Sequence, residues 1–82
     1  MENLEQAITL LEQIVSDRTV PRNIRTSADG VIQNLKTGED SMEIKLSSAI
    51  YVLDGVSNDP NIPMYTRTLV WNIVSLLEKC RE

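Results

Sequence analysis

The chain has 82 residues, which is room for one domain and one core. With no Phe, one Trp, two Tyr, three Gly and three Pro, its composition suits helices better than sheets or serial hairpins. A net charge of −4 argues against general affinity for nucleic-acid backbone, the lone Cys80 excludes an internal disulfide, and no apolar run approaches the roughly 20 residues of a membrane span.

The first predicted helix carries Leu4, Ala7, Ile8, Leu11, Ile14 and Val15 on one face, following the i, i+3, i+4, i+7 rhythm. Asn3 and Gln6 fit a capping box at its start. The start MENLEQ lacks the basic residues and apolar run of a signal peptide, so a cytoplasmic protein is expected.

Thr19 is the expected N-cap of a second helix, with Pro21 in its first turn. Val20, Ile24, Ala28, Val31, Ile32 and Leu35 form its face, and Gly38 is the expected left-handed stop. Asp40 or Ser41 caps a third helix, and Asp40 with Glu43 also fits a capping box. The third stripe is Leu46, Ala49, Ile50, Leu53 and Val56, weakened by Gly55. Asn61 is expected to cap a fourth helix with Pro63 in its first turn, running to about Cys80. That helix carries Ile62, Leu69, Val70, Ile73, Val74, Leu76 and Leu77. Short connections imply antiparallel neighbours.

The phrase TVPRNIRT at Thr19–Thr26 returns as NIPMYTRT at Asn61–Thr68. A shift of 42 residues aligns Leu4 with Leu46, Ala7 with Ala49, Leu11 with Leu53 and Leu35 with Leu77. The same shift aligns Asp17 with Asp59, Pro21 with Pro63, Arg25 with Arg67 and Thr26 with Thr68. Apolar periodicity alone does not place four such turn residues at one offset. The expected fold is therefore all-α, a compact four-helix array over residues 1–82. It is built from two helix-turn-helix repeats, about 3–37 and about 40–81.

Asn58-Asp59-Pro60 with Arg67 loosely resembles a HEAT repeat, but two units are fewer than an open solenoid needs. TVPRNIR together with NDPNIP and TRT is more similar to the small archaeal uncharacterised protein family 0147. That resemblance covers essentially the whole chain. It implies an all-helical cytoplasmic protein and carries no catalytic residues.

Asp17 with Arg25, and Asp59 with Arg67, read as pairs bracing the two turns, since a feature present in both copies suits structure better than a site. Arg18, Arg22 and Arg25 cluster around the first turn, the best candidate for an anion or nucleic-acid patch at a helix start. Asp17 and the acidic whole weaken it, and no aromatic is there to stack on a base.

The fourth helix has a wider apolar arc than the second. Tyr65, Leu69, Asn72 and Leu76 stand where the first copy has Asn23, Ser27, Gly30 and Asn34, and Met64 and Trp71 replace Arg22 and Asp29. Two compatible readings follow: this helix is the most buried, and it also builds a subunit interface, with Met64, Tyr65, Leu69, Trp71 and Leu76 as candidates. With no histidine, no Gly-rich phosphate loop and no His/Cys cluster, neither catalysis nor a metal or other cofactor is expected. The expected role is a non-enzymatic interaction module, a homo-oligomer joined through the fourth helix. The alternative is an RNA- or anion-associated protein using the three arginines.

Overall fold

The computed structural model describes residues 2–81. They form four α-helices: α1 (Glu2–Val15), α2 (Arg22–Thr37), α3 (Met42–Ser57) and α4 (Met64–Arg81). Each helix packs on two others, closing the ring α1–α2–α3–α4–α1. The expected apolar faces meet at the centre of this ring. Ala7, Leu11 and Ile14 come from α1, Ile24, Ala28, Val31, Ile32 and Leu35 from α2, and Leu46, Ala49, Ile50, Leu53 and Val56 from α3. Val70, Ile73 and Leu77 of α4 complete them, with Val20 and Ile62 closing the core from the turns. Each fully buried aliphatic side chain contributes about 1.5–3 kcal/mol relative to exposure, so this aliphatic centre holds a chain that has no disulfide.

Two turn features recur 42 residues apart. Asp17 Oδ1 accepts from the Thr19 backbone N–H at 2.9 Å, and Asp59 Oδ1 accepts from that of Asn61 at 2.8 Å. The Pro21 carbonyl accepts from the N–H groups of Ile24 and Arg25, as the Pro63 carbonyl does from those of Thr66 and Arg67. Each turn is thus an Asp side chain folded back on the chain, followed by a proline whose fixed φ admits the helix.

This geometry corrects several expected caps. Thr19 and Asn61 donate to the turn aspartates instead of capping α2 and α4, and Pro21 holds the N-cap position with no side-chain cap. Asn3 lies inside α1, so it is not an N-cap. Of the two candidates for α3, Ser41 is the cap, accepting from the Ile44 N–H at 3.4 Å.

Gly38 is extended (φ −64°, ψ 146°), not left-handed. Its reason is space. A Cβ there would lie 2.4 Å from Asn34 Oδ1, 2.5 Å from the Asn34 carbonyl oxygen and 3.1 Å from Lys45 Cδ. Lys45 is buried in this corner, and its ammonium donates to the carbonyls of Leu35 (3.4 Å) and Gly38 (3.3 Å). It closes the C-terminus of α2, where orphan carbonyls and the helix dipole favour a cation.

Candidate functional site

The core stripe of α4 is narrow: Thr66, Val70, Ile73 and Leu77. Both α2 and α3 bury more of their residues, so α4 is not the most buried helix. Its surplus apolar side chains lie outside the core. Met64 is 68%, Tyr65 55% and Trp71 54% exposed. Leu69 and Leu76 are half-buried at the edge of the core. Trp71 is therefore a surface residue.

A groove runs along the seam of α1 and α4. One stretch of about 230 Å³ has Gln13, Asp17, Tyr65, Thr66, Leu69 and Asn72 in its walls. A second stretch of about 360 Å³ continues past Leu10, Leu69, Asn72 and Leu76 to Gln6 and Lys79. The Asp17 end is tied shut. Tyr65 donates its hydroxyl to Asp17 Oδ2, and that hydroxyl lies 3.0 Å from Thr19 Oγ1. Thr19 Oγ1 in turn donates to Asp17 Oδ1 at 2.7 Å. The Tyr65 bond, then the Thr19 hydroxyl and amide, hold the Asp17 carboxyl below its ordinary range, and the Arg25 charge pulls the same way. Desolvation opposes them.

Thr66 is buried, and its hydroxyl has no hydrogen-bond partner. Its counterpart 42 residues earlier is Ile24, an ordinary core residue. The hydroxyl is a polar atom in an apolar position, in the wall of the groove.

The turn arginines do not hold the turn carboxylates. Arg25 Nε donates to the Val20 carbonyl at 3.1 Å. Arg67 donates through Nε to the Ser57 carbonyl and through Nη2 to the Asp59 carbonyl, each at 2.9 Å. Both brace their turns through backbone, because those carbonyls leave helix ends and turns without partners and a guanidinium fork reaches them. Of the basic cluster, Arg22 and Arg25 share a shallow cleft with Asp29, and Arg18 is not part of its wall.

Residues 1–80 match the Uncharacterised protein family (UPF0147). The chain belongs to this family. A UPF0147 protein of Metallosphaera sedula is 44% identical over 79 residues, covering 96% of this chain and 89% of that one. One of Methanosarcina mazei is 43% identical over 77 residues, covering 94% and 83%. Two crystal structures share the fold. A UPF0147 protein of Thermoplasma acidophilum superimposes with a TM-score of 0.90 at 31% identity, covering 95% of this chain and 92% of that one. MMP1188, a protein described as of unknown function, does so with a TM-score of 0.86 at 45% identity, covering 94% and 88%. This UPF0147 member is thus an all-α four-helix protein with archaeal relatives. No helix among its described residues is long and apolar enough to cross a membrane.

Sequence reasoning placed Tyr65, Leu69 and Leu76 on one stripe, and they do line one groove. It missed the opposing wall, Gln6, Leu10, Gln13 and Asp17. The spacing of three and four among Gln6, Leu10 and Gln13 was legible as a second face of α1, beside the core stripe. It also missed Tyr51 and Ile44, exposed seven residues apart on α3. Lys45 adjoins Leu46 on the core side of α3, and nothing local marks such a lysine as buried.

Proposed function

We propose that this protein is a non-enzymatic, cytoplasmic interaction module that self-associates through α4. One observation carries the reading: α4 needs only Thr66, Val70, Ile73 and Leu77 for the core, yet it presents Met64, Tyr65, Leu69, Trp71 and Leu76 beside and beyond that stripe. Trp, Tyr and Met are enriched where protein surfaces meet, and charged residues are depleted at the centres of such contacts. The two halves share the aspartate-to-backbone and proline-carbonyl bonds of their turns and most of their buried positions, although Leu4 and Ile8 are only half-buried where Leu46 and Ile50 are buried. This supports a helix-turn-helix unit duplicated once, after which the second copy acquired the apolar surface where the first kept Arg22, Asn23, Ser27, Asp29 and Asn34.

The test is size-exclusion chromatography with light scattering at micromolar concentration, on wild type and Trp71→Ala. A dimer or larger species weakened by Trp71→Ala is expected. A wild-type monomer contradicts the reading. The anion- or RNA-binding alternative has less support, because Asp29 shares the cleft of Arg22 and Arg25, and Arg25 Nε is committed to Val20.

A further inference from the structure

The stretch of groove nearest the Asp17 turn has buried Ile14 and Thr66 in its walls, with Gln13, Tyr65 and Asn72 exposed around them. Its volume of about 230 Å³ is several times the roughly 30 Å³ share of one water. Thr66 is 1% exposed, and its hydroxyl bonds to no protein atom. Burying a hydroxyl without a partner costs a fold stability. The positions 42 residues away show that packing does not require one here. On the α2–α3 seam Ile24 stands in the place of Thr66, Gly55 in that of Gln13, Asn23 in that of Tyr65 and Gly30 in that of Asn72. The polar groups that set the two seams apart thus converge on one pocket.

The open groups of that pocket are uncharged. Asp17, the one charged residue in its walls, already accepts from Tyr65 and Thr19. Among the described residues, the carboxamides of Gln13 and Asn72 make no hydrogen bond to the protein. A carboxamide both donates and accepts, and so does a hydroxyl. Ile14 and Leu69 add apolar surface beside them.

We propose that this pocket binds a small uncharged molecule through an amide group, a flat unit with a carbonyl and an N–H side by side. The carbonyl accepts from the Thr66 hydroxyl, the N–H donates to a carboxamide oxygen, and the rest of the molecule lies on Leu69 and Ile14. An anion there would face the Asp17 carboxylate, and an ammonium would compete with Tyr65 and Thr19 for it. This site goes beyond self-association through α4 and does not rest on it. Leu69 lines the pocket, whereas Trp71, two residues on, is turned about 200° from Leu69 around the helix.

The test is an NMR titration of the isotope-labelled full chain with three probes. Benzamide offers an open-chain amide, uracil a ring amide, and benzoate the shape of benzamide with a charge. Saturable shifts at Gln13, Thr66, Leu69 and Asn72 are expected with benzamide, uracil or both, and not with benzoate. Thr66→Val and Asn72→Ala should each weaken binding about fivefold, the worth of one hydrogen bond. Thr66→Val breaks no hydrogen bond of the free protein, so it stays folded. Ser47→Ala, exposed on α3, should bind as wild type does. No saturable shift at millimolar probe, or undiminished binding by both Thr66→Val and Asn72→Ala, overturns the site. Benzoate binding as tightly as benzamide overturns the amide assignment.

Discussion

The hydroxyl of Tyr65, at the start of α4, donates to the carboxylate of Asp17, just past the end of α1. No corresponding hydrogen bond joins Asn23 and Asp59, which hold the Tyr65 and Asp17 positions on the α2–α3 seam. One hydrogen bond therefore marks a difference between the two otherwise corresponding seams of the bundle.

Tyr65→Phe removes that bond and leaves the ring. The Asp17 pKa should rise toward the ordinary value near 3.8, read by carboxyl NMR through an acid titration. The sign follows from linkage. A carboxyl whose folded pKa is depressed contributes stability that is full above its unfolded pKa and is lost as pH falls through the folded value. Wild type should lose this contribution below about pH 4, and Tyr65→Phe should lose less. An unchanged Asp17 titration contradicts the assignment.

Thr66→Val replaces a buried hydroxyl without a partner by a methyl of the same shape. The variant should be more stable by about 1 kcal/mol, since an unsatisfied buried polar group costs about 1–3 kcal/mol. Chemical denaturation checks it, and a destabilised variant indicates that the hydroxyl finds a partner.

Glycines at two positions should respond oppositely to alanine. Gly30 lies in α2 with nothing within 4 Å of where an added methyl would sit, so Gly30→Ala should stabilise by about 0.5–1 kcal/mol through helix propensity. Gly38→Ala forces a methyl against the Asn34 carbonyl and should destabilise by about 1–3 kcal/mol. Thermal denaturation of both variants tests the contrast.

Lys45→Met keeps the buried stem but leaves the carbonyls of Leu35 and Gly38 without their donor. A loss of about 1–2 kcal/mol is expected from the hydrogen bonds and the helix-end charge. A neutral result by denaturation contradicts the capping role.

The helices and their inward faces were legible because aliphatic periodicity alone carries them, as Leu11, Val31, Leu53 and Ile73 illustrate. The 42-residue echo was legible because identical turn residues recur at one offset. Capping was not, since Asp17, Thr19, Asn3 and Asp40 all have the right chemistry and only backbone geometry selects among them. The arginine bonds were hidden for a related reason: a guanidinium can donate to a carbonyl as well as to a carboxylate, and Arg25 and Arg67 took carbonyls. The groove depends on the register of α1 against α4, a long-range relation that no local pattern states.

The central claim is that α4 carries a self-association surface. Size-exclusion chromatography with light scattering on the wild-type chain at micromolar concentration tests it most directly. Wild type should run as a particle of at least twice the 9.3 kDa chain mass, shifting toward monomer in Trp71→Ala. A particle of 9.3 kDa for wild type across that range contradicts it.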